Sequence, residues 1–287
     1  MPVDSVAQSL LSTEERSRAL RIVNRHVRIA SFNVRACPDG DEGLWKLSGL
    51  TAELHRLRIG LAGLQELRRP GSGQADVPAA TNGPSWSLLW SGHTQQRQHG
   101  VGLLMTPEWD NSLISWEPIR ERLLVARFAG NRKQTITVIV AYSPTDCDKT
   151  QAQADAFYDS LATLCVKASD RKDVVFVLGD FNAAVGKDTT ADCIGPHQPH
   201  TAKANASPNG LLLLTVAAVA NLRIANTFFS HKARHQYTHT SARASAITRT
   251  RKSRVSRLRS VKDYILISSQ HRHSVTDCKA YPCISWT

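Results

Sequence analysis

The chain alternates between short apolar segments of strand length and longer amphipathic stretches. The short segments are rich in Val, Ile and Leu and are bounded by Gly, Pro, Asn and Asp, a pattern that predicts β-strands. They cover residues 27–32, 59–64, 100–105, 123–128, 135–142, 174–178, 222–226 and 264–267. The polar stretch 1–26 precedes them, and we predict that it is a leader outside the core.

Three longer stretches have the spacing of helices. In 44–57, leucines recur at intervals of three and four residues, which places them on one face of a helix. Residues 150–166 repeat this spacing. Residues 211–221 are apolar nearly all round, which predicts a helix that is buried on all sides.

The predicted strands and helices are mixed without strict alternation. This order is typical of a layered α/β or α+β fold. No linker or low-complexity spacer divides 27–242, so we predict one domain over 27–287 with an insertion at 243–262. The longest apolar stretch, 211–220, has about half of the roughly 20 residues needed to cross a bilayer, and we expect no membrane-spanning helix.

The positive charge of the chain is concentrated in one region. The 36 Lys and Arg exceed the 24 Asp and Glu by 12, which favours polyanionic partners, nucleic acid before an anionic membrane. Residues 193–262 hold 12 of the cations and no carboxylate, so the rest of the chain has as many cations as carboxylates. The densest part, 243–262, predicts binding to phosphates, and an insertion without any binding role is the alternative. Its candidate nucleic-acid contacts are Arg251, Lys252, Arg254 and Arg257.

The six cysteines are scattered without a CxxC pair, and no apolar secretory signal opens the chain. We therefore expect reduced thiols and an intracellular protein. The expected nucleic-acid partner favours the nucleus over the cytoplasm.

Polar side chains directly follow four of the predicted strands. They are Asn33, Glu66, Tyr142, and the pair Asp180 and Asn182. Any one of them would suit a turn or a helix cap. Together they supply hard oxygen ligands for Mg²⁺, a base for water and hydrogen-bond donors for a phosphate. No Ser-His-Asp order, P-loop or GxGxxG motif competes with this set.

The motifs that contain these residues resemble those of a known superfamily. They are SFN at 31–33, LQE at 64–66, AYSPT at 141–145, GDFN at 179–182 and DYI at 263–265. In this order they resemble the endonuclease/exonuclease/phosphatase superfamily of exonuclease III-like and DNase I-like nucleases. The closest resemblance is to the endonuclease domains of non-LTR retrotransposons and to the craniofacial development protein 2-like proteins. It covers about 27–283 and implies a four-layered α/β/β/α sandwich of two mixed β-sheets with a site at one edge.

The resemblance also implies a role for each residue. Glu66 would be the principal ligand of Mg²⁺, or of Mn²⁺ as the alternative cofactor, with Asn33 beside it. Asp180 would orient or deprotonate the attacking water. Asn182 would hydrogen-bond the phosphate, and Tyr142 would contact the phosphate or the leaving group.

The chain departs from the family pattern in its last part. Asp263 takes the place of the Asp that supports a catalytic His, but the final Ser-Asp-His motif is absent from the sequence. We therefore expect a C-terminally incomplete sandwich with weak or no activity, because losing such a His costs about 10² to 10⁴ in rate. The Arg-rich stretch 243–262 replaces a short turn, and His239 stands where the family has Trp. His271 and His273 follow the last predicted strand too closely to replace the missing His.

Three functions remain open. The first is a Mg²⁺-dependent DNA endonuclease of the retroelement type. The second is a non-catalytic, retroelement-derived remnant that binds nucleic acid through 243–262. The third is a phosphomonoesterase or phospholipid-headgroup hydrolase, against which the subgroup motifs argue.

Overall fold

A computed structural model describes most of the chain. The described residues are 27–37, 39–80, 83–131, 134–146, 151–187, 191–199, 204–240 and 259–281. The predicted leader, 1–26, lies outside them. So does most of the basic stretch 243–262, including the predicted nucleic-acid contacts Arg251, Lys252, Arg254 and Arg257.

The first sheet contains five strands in the order β1-β2-β5-β4-β3. The strands are β1 (Ile29–Asn33), β2 (Leu61–Gln65), β3 (Ser72–Val77), β4 (Trp86–Ser91) and β5 (Val101–Met105). β1 and β2 are parallel, whereas the other neighbours are antiparallel. The sheet is therefore mixed.

The second sheet contains six strands in the order β10-β13-β9-β8-β7-β6. Its strands are β6 (Leu113–Arg120), β7 (Leu123–Ala129), β8 (Thr135–Tyr142), β9 (Val174–Asp180), β10 (Leu222–Ile224) and β13 (Asp263–Ser268). Only the β8–β9 pair is parallel among the described pairs of this sheet. Two further strands, β11 (His239–Thr240) and β12 (Arg259–Ser260), form a separate two-stranded ribbon, here called the stem ribbon.

The described helices are α1 (Asp41–Arg56), α2 (Pro107–Asp110), α3 (Gln151–Asp170) and α4 (Pro208–Val219). Three 3₁₀ segments cover Ala225–Thr227, Ala233–His235 and Ser269–Ser274. The start of α4 follows from its sequence, because the Ser207 hydroxyl accepts from the Gly210 N–H and Pro208 occupies the first helical turn. No helix in the described part of the chain is long and apolar enough to span a membrane.

Three apolar cores separate four layers. The first core lies between α1 and the first sheet, the second between the two sheets, and the third between the second sheet and the helices α3 and α4. The sheets approach closely at Gly63, where a Cβ would lie 2.9 Å from the Leu178 Cβ. The structure thus confirms the predicted sandwich of two mixed sheets with helices outside.

Strand β8 shows how the sequence produces this layering. Its side chains alternate between two apolar surroundings, as expected for a strand buried on both faces. Val138 and Val140 pack between the sheets, whereas Ile139 and Ala141 pack against the helical layer. A continuous apolar run is therefore required in β8, and this run is the pattern that predicts the strand from the sequence.

The predicted strands are confirmed with small shifts at their ends, but the sequence patterns missed β3, β4, β6 and the two short strands of the stem ribbon. β3 and β6 lie at the edges of their sheets and carry many exposed or half-buried polar residues, so they contain no apolar run. The prediction that 211–221 is buried all round is wrong. In α4, Leu213 and Val216 are buried, but Leu211 is 59% exposed and Val219 64% exposed.

Candidate active site

Two pairs of parallel strands end at the same edge of the sandwich. Asn33 is the last residue of β1, and Glu66 directly follows the neighbouring strand β2. Across the sandwich, Tyr142 ends β8 opposite Asp180, which ends β9. β1 and β2 both contact β9, so the two pairs of strand ends meet.

Hydrogen bonds join these side chains. Asn33 Nδ2 donates to Glu66 Oε1 at 2.9 Å and to Asp180 Oδ2 at 3.2 Å. The Tyr142 hydroxyl donates to the same Glu66 oxygen at 3.2 Å. The Asn182 backbone N–H donates to Asp180 Oδ1 at 3.1 Å. The structure therefore brings five of the predicted residues into one group, which we call the strand-end cluster.

Glu66 is held as a carboxylate. Partial burial raises its pKa, but hydrogen bonds from Asn33, Arg68 and Tyr142 outweigh burial and leave the pKa below its ordinary value. The Arg68 guanidinium lies 2.9 Å from Glu66 Oε2, while Oε1 accepts from the other two donors. Both oxygens of this carboxylate are thus oriented by the protein.

Asp180 is buried and has the opposite shift. Burial raises its pKa, and the negative charge of Glu66 adds to this effect. Hydrogen bonds from Asn182 and Asn33 and the charge of Lys262 act in the other direction without cancelling it. Asp180 is therefore more basic than an ordinary carboxylate, while its two oxygens are fixed by N–H donors.

Asp263 lies directly opposite Asp180 on the antiparallel neighbour strand β13. Burial and the charge of Asp180 raise the pKa of Asp263 to about 7, against the effects of Thr238 and Lys262. Its backbone N–H donates to Thr238 Oγ1 at 3.1 Å. The structure thus places Asp263 beside the cluster as a second carboxyl group next to Asp180.

Two members of the cluster have left-handed backbone conformations, which are uncommon for residues other than glycine. φ is 54° at Glu66 and 45° at Asn182. Asn182 Nδ2 donates to the Ser143 carbonyl at 3.1 Å, and its Oδ1 accepts from Lys262 Nζ at 3.4 Å. Strained backbone of this kind is characteristic of functional sites, because surrounding contacts must hold it in place.

Sequence reasoning missed several cations beside the cluster. The Arg122 guanidinium lies 5.1 Å from the Tyr142 ring centroid, and its Nη1 donates to the Tyr142 carbonyl at 3.2 Å. Its Nη2 lies 3.1 Å from each ring nitrogen of His99. Burial lowers the pKa of Arg122, which forms no ion pair among the described residues. Arg122 and His99 come from turns without a motif, whereas Arg68 and Lys262 adjoin predicted residues in sequence and were detectable.

Asn209 holds the loops behind the cluster together. It is buried at the start of α4, and its Nδ2 lies 3.0 Å from the Pro144 carbonyl oxygen. The same nitrogen lies 3.4 Å from the carbonyl oxygens of Phe181 and Asn182. Asn209 therefore joins the loop after β8 to the loop after β9, the two loops that orient Tyr142 and Asn182.

The donor set of the cluster fits a hard divalent cation. Carboxylate oxygens are the ligands that Mg²⁺ prefers, and Glu66 and Asp180 present oxygens to the same Asn33 nitrogen. The Asn33 Oδ1 instead accepts from the Arg35 N–H at 3.0 Å, so Asn33 would ligate a cation only with its amide turned over. Across the described ranges, no group of three His, Cys, Asp or Glu side chains forms a ready metal cage. Glu66 is thus the residue best placed to hold a metal.

The histidines after β13 lie away from the cluster. Asp263 at the start of β13 adjoins the cluster, but His271 and His273 follow the other end of this strand in the segment Ser269–Ser274. His271 Nε2 lies 2.9 Å from Gln134 Nε2, at the beginning of β8 and far from Tyr142 at its end.

Comparisons with known proteins agree with this geometry. A model of the endonuclease/exonuclease/phosphatase family matches residues 30–282. Craniofacial development protein 2 of Bos taurus is 26% identical over 275 residues, which are 96% of this chain and 41% of that protein. The same protein of Tragulus javanicus is 27% identical over 263 residues, 92% of this chain and 41% of the relative. The chain thus spans about two fifths of the length of these curated relatives.

Solved structures of similar fold include nucleases. The AP endonuclease LMAP from Leishmania major has a TM-score of 0.60 at 12% identity, with 95% of both chains covered. The 3'-5' exonuclease NExo from Neisseria meningitidis has a TM-score of 0.56 at 18% identity, covering 87% of this chain and 90% of that one. The Neisseria 3' phosphatase NExo bound to product DNA hairpin has a TM-score of 0.55 at 17% identity, covering 86% and 89%. At these identities the likeness shows the fold alone.

Proposed function

The chain belongs to the endonuclease/exonuclease/phosphatase family, and on that premise we propose that it is a Mg²⁺-dependent phosphodiester hydrolase, a DNA endonuclease of the retroelement type. The strand-end cluster carries this proposal. It combines an oriented carboxylate, a carboxyl group of raised pKa and several hydrogen-bond donors within 3.2 Å of one another. This combination provides a cation site, a base and a phosphate site at one place.

Asp180 is the proposed base. Its raised pKa makes it a better proton acceptor than an ordinary carboxylate, and burial separates it from bulk water. A water held against Asp180 would transfer a proton to the carboxylate as its oxygen attacks phosphorus, while the bond from phosphorus to the leaving sugar oxygen breaks and that oxygen takes a proton from solvent. The donors Asn33 and Asn182 keep the carboxylate in the orientation that this transfer requires.

The phosphate would lie against the polar and cationic groups around Asp180. The Asn182 amide and the Arg122 guanidinium are donors at the rim of the cluster. Such preorganised donors stabilise the charge that spreads over phosphate oxygens in the transition state. Arg122 is suited to this role because it is a partly buried cation without an ion pair among the described residues.

Glu66 would hold the metal, with Asp180 beside it. Asn33 would join them once its side-chain amide is flipped, so that its oxygen faces the cation. Bound Mg²⁺ would polarise a phosphoryl oxygen as a Lewis acid. The hydrogen bond from Tyr142 and the ion pair with Arg68 keep the Glu66 carboxylate ionised and oriented toward the cluster.

DNA is the proposed partner, and the basic stretch is proposed to contact its backbone. The described strands β11 and β12 flank most of this stretch in sequence, and Lys262, two residues beyond β12, reaches Asn182. Changing Arg251, Lys252, Arg254 and Arg257 to Ala should weaken DNA binding and reduce its salt dependence, because fewer phosphates are neutralised. An unchanged salt dependence would contradict this contact. An enzyme with this substrate is proposed to act in the nucleus.

Nicking of supercoiled plasmid tests the proposed function. We expect nicking in Mg²⁺, its loss in EDTA and its recovery with excess Mg²⁺. Glu66→Gln should lower the rate by about 10²-fold or more, because it removes a charged ligand while keeping the size of the side chain. The matched control is Glu108→Gln, at an exposed position on α2. Equal nicking by Glu66→Gln and wild type contradicts the proposal. Hydrolysis of p-nitrophenyl phosphate without nicking would favour a phosphomonoesterase.

A further inference from the structure

The stem ribbon is anchored beside the strand-end cluster. His239 on β11 lies opposite Ser260 on β12, and the Ser260 Oγ is 3.4 Å from His239 Nδ1. Residues directly opposite in an antiparallel pair project to the same face, so the imidazole and this hydroxyl share one face of the ribbon. The Thr238 hydroxyl fixes the ribbon to the second sheet, because it accepts from the backbone N–H groups of Lys262 and Asp263 at 3.0 and 3.1 Å.

The face that carries His239 is turned toward the cluster. Val261 packs against the apolar core between the second sheet and the helices α3 and α4. Side chains alternate along an extended chain, so Ser260 and Lys262 project to the side opposite Val261. Lys262 Nζ donates to Asn182 Oδ1 at 3.4 Å, which shows that this side meets the cluster.

The imidazole of His239 is half-buried among charged groups of the site. Burial and the nearby Lys262 lower its pKa, as does Arg35, whereas Asp180 raises it, and the net shift is downward. The ring is therefore neutral at pH 7 and carries one proton. In the tautomer in which Nδ1 accepts from the Ser260 hydroxyl, this proton is on Nε2. Among the described residues, Nε2 of His239 makes no hydrogen bond.

Three other described histidines are engaged elsewhere. Both ring nitrogens of His99 lie beside Nη2 of Arg122. His231 is paired with Asp277 at 2.7 Å. His271 lies at the far end of β13.

We propose that His239 is a phosphate-binding residue of this site, with Nε2–H donating a hydrogen bond to a non-bridging oxygen of the scissile phosphate. This inference rests on the proposed function and adds to it a residue that comes from the stem ribbon. No covalent step is assigned to His239. It supplies a neutral donor where charge develops on the phosphate, next to the cation Lys262.

Single-turnover cleavage of a labelled DNA duplex in Mg²⁺ provides the kinetic test. His239→Ala should lower the single-turnover rate constant at saturating enzyme by about 10²-fold, with little change in the enzyme concentration that gives half of this rate, because the lost donor acts mainly in the transition state. His239→Gln, which keeps an N–H donor, should retain more of the rate than Ala. His55→Ala is the matched control, since His55 is exposed at the end of α1 away from the cluster, and its rate should equal that of wild type.

A second readout does not depend on cleavage. In EDTA, the imidazole ¹⁵N resonances of wild type are recorded with increasing DNA duplex, and the His239 signal is assigned from its absence in His239→Gln. The signal should shift on binding. If wild type cleaves but His239→Ala cleaves equally, the His239 inference is wrong and the proposed function stands. If wild type does not cleave but the His239 signal shifts, the proposed function fails and phosphate binding by His239 stands. If wild type does not cleave and the His239 signal does not shift, both proposals are wrong.

Discussion

Asp180 and Asp263 are neighbours on adjacent antiparallel strands, and burial together with the charge of Asp180 raises the pKa of Asp263. Two neighbouring carboxyl groups shielded from water cannot both ionise easily, so the pair retains a proton near neutral pH. Asp180 could be predicted as a functional residue because it ends an apolar strand. Its coupling to Asp263 could not be predicted, since the 82 positions between them give no indication of the strand register.

The pair gives stability a defined pH dependence. Asp263 has a pKa of about 7 in the folded protein, above the value of about 3.9 in an unfolded chain. The folded state therefore binds more protons between these values, and the free energy of unfolding falls as pH rises from about 4 to 7. In Asp263→Asn this fall should be reduced, so its Tm relative to wild type should be higher at pH 8 than at pH 5. Thermal unfolding followed by circular dichroism measures the two Tm values. A difference in Tm between Asp263→Asn and wild type that stays constant across pH would contradict the coupling.

Two residues beside the cluster, Arg122 and His99, lie in turns and could not be predicted from the sequence. The strand-end residues Asn33, Glu66 and Asp180 were predictable because parallel strands carry their ends to one edge. Arg122 and His99 reach the same edge from connections whose paths depend on antiparallel pairing, and neither belongs to a motif. Their positions follow from tertiary structure alone.

At the scale of elements, the composition of α4 does not predict which of its faces is buried. The stretch reads as apolar all round, but only one face of the helix packs on α3 and the second sheet. Leu213 is fully buried in this core, whereas Leu211 is 59% exposed. Periodicity could not separate the two faces, because Leu and Val occupy both.

Two substitutions of the same type measure this asymmetry. Leu213→Ala should reduce the free energy of unfolding by about 3 kcal/mol, since it opens a cavity in a close-packed core. Leu211→Ala should change it by no more than about 0.5 kcal/mol, because most of the side chain already contacts water. Urea denaturation of both variants provides the comparison. Equal losses would show that the exposed face is covered in the folded protein.

At the scale of the whole molecule, the fold and the charge distribution are separate features. The family match covers 30–282 and corresponds to the sandwich, whereas the chain as a whole carries equal numbers of cations and carboxylates outside 193–262. The excess of 12 positive charges lies in that one region. In sequence, its densest part lies between the two strands of the stem ribbon, which Thr238 and Lys262 connect to the strand-end cluster. The excess charge is thus confined to one region of the sequence rather than distributed along the chain.

The central claim is that the strand-end cluster hydrolyses phosphodiester bonds, and Asp180 tests it most directly. The measurement is the rate constant for nicking supercoiled plasmid in Mg²⁺ by wild type, Asp180→Ala and Asp76→Ala, an exposed position on β3. Asp180→Ala should lower the rate by at least about 10²- to 10⁴-fold, whereas Asp76→Ala should match wild type. Equal rates for Asp180→Ala and wild type would contradict the claim, because the nicking would then arise outside this cluster.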